Sequence, residues 1–253
     1  MLKKSAIFSI FIILLNFNSF SEVFKISYIP DKASNVKAYR KDDGRYLWRS
    51  TFKSEVVDVN RSKMLRITED GSGTWGGKDG LKWHSEAYYT YENERAVPHH
   101  TEAVFYDVSG VTVESVKKTY SLDDRKVFFI KNGEKREFDF ENDLIDKELL
   151  GTAIMNSDLT RRPDFGFNML TNEPVRYRMA LRNLGIQTVL VQGNGIRCYK
   201  VQLIPDLGFL GIFATFVPKS YFWYKADPPH DFVKYEGLES GLDSPNIIME
   251  AGD

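Results

Sequence analysis

A single stretch, Asn142 to Thr160, carries the periodicity of an amphipathic helix in a chain that otherwise alternates like β-strand. Ile145, Leu149, Leu150, Ala153 and Ile154 fall on one broad face, at the spacing of a core-facing helix. Lys147, Glu148, Gly151 and Asp158 fall opposite. Asn142 or Asp143 is placed to cap the first amides, Asp146 and Glu148 put negative charge near the positive end, and Pro163 stops the run. The pattern predicts one central helix over about residues 143–159. Many strands and one buried helix have few ways to share a core. The simplest is a mainly β fold, a strongly curved antiparallel sheet (an open half-barrel) wrapped around that helix. Gly151, costly within a helix, points to close approach of another backbone. The helix then serves either as core or as a plug over an apolar cavity.

The N-terminus sets the expected compartment. Lys3 and Lys4 precede the apolar run Ala6 to Leu15, followed by Asn16, Ser19 and Ser21, the order of a secretory signal peptide over residues 1–21. The run is short for a membrane span. Cleavage after Ser21 leaves an exported, periplasmic or secreted, single domain of residues 22–253. No Cys follows the cleavage region, so no lipid attachment through an N-terminal Cys is expected. Acidic and basic residues nearly balance, 35 against 34, which argues against nucleic acid as a partner. Aromatic residues make up 14%, which suits strands and concave apolar surfaces. The lone Cys198 cannot form an internal disulfide and alternates as a strand position, so it reads as a buried structural thiol.

In chain order, strands are expected at VFKISYI, RYLWRSTF, EVVDV and KMLRITED. The segment Asp70 to Gly80 holds five glycines but lacks the Lys-Ser/Thr end of a phosphate loop, so it reads as a wide hairpin loop with Trp75 at its rim. Long strands follow at LKWHSEAYYTYE, HHTEAVFYDV, VTVESVKKTYSL and KVFFI, with Asn132-Gly133 marking a tight hairpin. After the helix, DFGFNMLTNEP reads as a loop. VRYRMALR, IQTVLVQ, IRCYKVQLI, GIFATFV, SYFWYKA, DFVKYEG and PNIIME read as strands.

The second half of this order resembles the LolA/LolB-like half-barrel fold, and more narrowly an uncharacterised family of exported proteins on that fold. The likeness spans about Asp143 to Glu250 and consists of soft patterns of residue type. It is carried by the helix with Arg161-Arg162-Pro163, by Val175 to Leu181, by the pair Gln187 to Gln192 and Gly195 to Leu203, and by Tyr221 to Asp227 with Phe232 to Glu236. In the named members of the fold the concave apolar face and its helix accept the lipid part of lipoproteins. The resemblance therefore implies an apolar ligand, and it transfers no catalytic residue and no cofactor.

The residues themselves supply no catalytic constellation. His99 and His100 invite a metal reading, but neighbours in a strand face opposite ways unless the strand bulges, and no HExxH or CxxC is present. No G-x-S-x-G elbow appears. Glu86, Glu102 and Glu114 read as solvent-face alternation rather than paired carboxylates. Lys117-Lys118 and Arg161-Arg162 read as solvated pairs. Three functions remain. The leading one is a non-enzymatic binding protein that holds a lipid or acyl chain between sheet and helix, lined by Leu149, Ala153, Ile154, Phe213, Phe222 and Trp223. The others are an envelope protein-interaction module with a filled core, and a hydrolase using His99 or His100.

Overall fold

A computed structural model describes residues 25–159, 164–205, 219–241 and 244–252. The strands are β1 (Ser34–Arg40), β2 (Tyr46–Val59), β3 (Ser62–Trp75), β4 (Lys78–Glu92), β5 (Arg95–Tyr106), β6 (Thr112–Ser121), β7 (Lys126–Lys131) and β8 (Glu134–Asp139). Then come β9 (Leu144–Asp146), α1 (Lys147–Met155), β10 (Asp164–Leu170), β11 (Arg176–Val191), β12 (Asn194–Pro205), β13 (Ser220–Lys225), β14 (Phe232–Leu238) and β15 (Asn246–Ala251). All fifteen belong to one sheet, in the order β8-β7-β6-β5-β4-β3-β2-β1-β15-β14-β13-β12-β11-β10-β9. Every pairing is antiparallel except β9 with β10.

Strict alternation gives the strands one buried face. In β4, Leu81, Trp83, Ser85, Ala87 and Tyr89 are buried while the residues between them face outward. Tight turns join the hairpins, with Asn132-Gly133 (φ 49° and 87°) and Gly76-Gly77 (φ 57° and 76°) both left-handed, as two-residue hairpin turns require. The glycine-rich segment is thus not a wide loop: β3 and β4 continue through it to a two-residue tip. Gly71 has a packing role, since a Cβ there would lie 2.0 Å from the indole of Trp83.

The sheet curls until its two edge strands, β8 and β9, are joined by only Phe140 to Asp143. Five peptide steps reach at most about 18 Å, so the edges face each other across a narrow seam. Side chains bridge it. Phe140, Leu144 and Leu170 pack with Val116, Tyr120, Val127 and Phe129, and Arg176 pairs with Glu141 at 2.7 Å.

The helix lies inside this wall and is shorter than its periodicity predicts. It begins at Lys147 because residues 144–146 pair with β10, and Asp146, not Asn142 or Asp143, accepts from the Glu148 amide as its cap. It ends at Met155, where the Asn156 amide donates to the Thr152 carbonyl (3.2 Å) and the Asn156 side chain accepts from the Tyr28 amide (2.7 Å). Pro163, expected to stop the helix, lies outside the described residues. Leu149, Ala153 and Ile154 are 2%, 0% and 0% exposed, among Leu65, Ala87, Tyr89, Phe167, Leu181 and Val201 of the surrounding strands. Each large apolar side chain sealed this way contributes about 1.5–3 kcal/mol. A second core, without helix, is aromatic: Trp48, Trp75, Trp83 and Phe105 lie 5.3–6.1 Å apart in successive contacts.

The structure redraws several strands. The described part of VFKISYI, from Lys25, forms a single bridge at Lys25, with Ile26 buried. RYLWRSTF and EVVDV are one strand, and β1 was not expected. The expected loop after the helix is β10, paired along its whole length with β11. The expected signal peptide, Arg161-Arg162 and GIFATFV lie outside the described residues.

Candidate functional site

The lumen is where the sheet and helix place unusual chemistry. Inner-face positions on β5 and β6 bring Thr101, Lys118 and Tyr120 towards the helix start. Lys118 is fully buried: its Nζ donates to Asp146 Oδ1 (2.8 Å), Glu148 Oε2 (3.3 Å) and the Thr171 carbonyl (3.4 Å). Asp146 Oδ2 accepts from Thr101 Oγ1 at 2.9 Å and from the Tyr120 hydroxyl. Glu148 Oε1 meets Lys147 Nζ at 2.8 Å. Lys118 and Glu148, read from the sequence as solvent-facing, are therefore the centre of a buried ionic layer. The cause is register, because Lys118 shares the inward parity of Val116 and Tyr120 in β6.

This layer tunes its members. Burial, then the charge of Glu148, push the Asp146 carboxyl up to about 7 against the pull of Lys118. Burial alone would raise Glu148 too, but Lys118 and Lys147 outweigh it and hold that carboxyl below the usual range. Burial also works against the charge of Lys147, yet Glu148 and Glu69 hold its ammonium above the ordinary lysine range. Glu69, on the inner face of β3, is raised by burial and accepts from Trp83 Nε1 at 3.0 Å.

Around this layer the inward-facing side chains are unevenly covered. The inner-face residues Tyr199 and Leu203 on β12, Phe222 on β13 and Phe232 on β14 pack against the helix core but stay half-buried. Phe52 on β2 and Met249 on β15 do the same against the aromatic core, and Phe222 and Phe232 touch both. Of the expected lining residues, Leu149, Ala153 and Ile154 are sealed in the core and Phe222 is half-buried. Phe213 lies outside the described residues. Trp223 faces away from the helix: as Phe222 and Tyr224 point inward, Trp223 joins Val189, Val191, Cys198 and Val233 in a separate layer on the other face. Burial there raises the Cys198 thiol above its ordinary range.

The other candidates do not assemble a reactive site. A bulge in β5 opposite Tyr88 and Tyr89 puts both imidazoles on one side, with Nδ1 atoms 2.9 Å apart and Tyr88 stacked on His100. Glu86 and Glu102 are cross-strand partners, Glu86 against Arg66 (3.5 Å) and the Tyr88 hydroxyl (2.8 Å), whereas Glu114 lies near Lys131 (3.5 Å). Among the described residues no three His, Cys, Asp or Glu side chains group to hold a metal ion, and no helix is long and apolar enough to cross a membrane. A cleft of about 270 Å³ opens at the seam beside Phe129, Arg136 and Pro174, spanned by the Lys131–Glu173 pair at 2.6 Å. Its lining is largely charged, unlike the lumen wall.

Comparison with solved structures agrees with this architecture. The β-barrel-like protein of domain of unknown function DUF1849 from Brucella abortus is similar over 87% of this chain and 95% of its own, with a TM-score of 0.56 and 5% identity. Likeness at that identity speaks to the fold alone. An exported-type protein with a YmcC-like fold from Bacteroides fragilis (TM-score 0.31, 10% identity, covering 88% of this chain and 96% of its own) and the Mycobacterium tuberculosis lipoprotein LppX (TM-score 0.26, 9% identity, 87% and 84%) overlay too loosely to add to it. No protein-family model and no curated protein matches the chain. The chain has the curved-sheet-and-helix architecture that its resemblance to LolA/LolB-like half-barrels implies.

Proposed function

We propose that this is a non-enzymatic binding protein which, after export, holds an apolar chain such as a lipid acyl group in the lumen, between α1 and the inner face of β12–β15. The observation that carries the reading is the half-buried state of Tyr199, Leu203, Phe222, Phe232 and Met249, all directed inward. A filled core would seal them as it seals Leu149, Ala153 and Ile154. Covering this surface with hydrocarbon stabilises a complex by about 25 cal/mol per Å² buried. The signal-like residues 1–21 support export.

Native mass spectrometry of protein recovered from the cell envelope, with solvent extraction of any bound lipid, tests the reading. A stoichiometric acyl-containing adduct, weakened in a Phe222→Ala, Phe232→Ala double variant, is expected. Protein that carries no adduct and takes up no added fatty acid contradicts it.

A further inference from the structure

We propose that the lumen ligand is a single-chain amphiphile with an anionic, oxygen-rich head, and that Lys147 is the residue that selects this head. The inference rests on the binding role proposed above and adds the class of ligand.

Lys147 opens the helix, beside the inward-facing Glu69 and Glu148. Its side chain is 32% accessible although it stands beside these inner-face carboxylates. Its ammonium lies 2.8 Å from Glu148 Oε1, an ion pair outside hydrogen-bond geometry, so its N–H bonds remain for solvent or ligand. Most of the neighbouring carboxylate oxygens are already engaged. Glu69 accepts from Trp83, Asp146 from Lys118, Thr101 and Tyr120, and Glu148 Oε2 from Lys118, while Glu148 Oε1 is ion-paired to Lys147 without a hydrogen bond. The Tyr89 hydroxyl, fully buried on the inner face of β4, has no partner. Unused capacity in this layer is thus mostly donor capacity, which a head bringing acceptor oxygens completes and a head bringing only donors does not. Charge favours the same head: burial makes Asp146 and Glu69 harder to ionise, while Lys147 stays charged. Apolar residues lie nearby in the fold: Phe52 is the cross-strand partner of Glu69, and Leu149 follows in the same helix.

Calorimetric titration of the full mature chain at neutral pH with dodecanoate, dodecanol and dodecyltrimethylammonium separates the outcomes. Dodecanoate is expected to bind roughly tenfold tighter than dodecanol, the size of one charge-assisted hydrogen-bonded contact, and the cationic probe weakest. Lys147→Met should erase the preference for dodecanoate while dodecanol binding stays within about twofold, and Lys147→Arg should keep it. Equal binding of all three probes by the unmodified protein, tighter binding of the cation, or a preference that survives in a folded Lys147→Met variant overturns the selection by Lys147 but leaves the binding role standing. Failure to bind any probe removes the binding role, and the inference with it.

Discussion

On one side of the lumen, α1 presses Leu149, Ala153 and Ile154 against β3, β4, β10 and β11 until almost no surface remains. On the other, Phe222, Phe232, Tyr199, Leu203 and Met249 point inward from β12 to β15 and remain half-covered. Both sides obey the same two-residue alternation, and both are rich in large apolar side chains. What differs is the partner: the helix covers one wall fully, while on the other it seals only Val201 and Tyr224, whose hydroxyl donates to the Gly151 carbonyl at 3.3 Å. A core can thus be complete enough to hold a fold together and still leave one wall free to accept a guest. The ionic layer of Lys118, Asp146 and Glu148 joins the helix start to β5 and β6.

The largest effect should come from that layer. Lys118→Met leaves Asp146 and Glu148 short of a buried counter-charge and should cost about 3–5 kcal/mol in denaturant unfolding at neutral pH. A Lys118→Met, Asp146→Asn double variant should recover part of that loss, because it removes a stranded carboxylate together with its partner. An unchanged midpoint in the single variant would mean the helix is not anchored there. Next, truncations on the two walls should part company. Ile154→Ala opens a cavity in a sealed core and should cost about 3 kcal/mol, whereas Phe222→Ala on the half-open wall should cost about 1 kcal/mol. Equal costs would erase the distinction between the walls. The smallest effect belongs to the outer surface. Burial, then His99, lowers the His100 pKa below its ordinary 6.5. The unfolded chain then takes up the proton first, so stability should begin to fall as pH drops through 6.5 and keep falling down to the folded-state value. His100→Gln should flatten that part of the profile, and an identical profile would remove His100 as its cause.

Much of this could be read in the sequence, and the failures have identifiable causes. The helix declared itself through Ile145, Leu149, Leu150, Ala153 and Ile154, although only its core portion is helical. The boundary was missed because β9 is three residues long and exists only through its pairing with β10, a contact that no local pattern reports. Lys118 was legible in principle. Val116, Lys118 and Tyr120 share one parity, but the adjacent Lys117 made the pair look solvated. The same rule separates Phe222 from Trp223, since consecutive strand residues cannot both face the lumen. The meeting of His99 and His100 was not legible, because a bulge depends on cross-strand register.

The central claim, one sealed wall and one accessible wall, can be measured without knowing the ligand. Single cysteines placed at Ala153 and at Phe222 would be exposed to a small methanethiosulfonate reagent under native conditions, with Cys198 buried in both proteins. The cysteine at 222 should react in the folded state and be shielded by added dodecanoate, while the one at 153 should react only at the rate of global unfolding. Equal protection of the two positions would contradict the account.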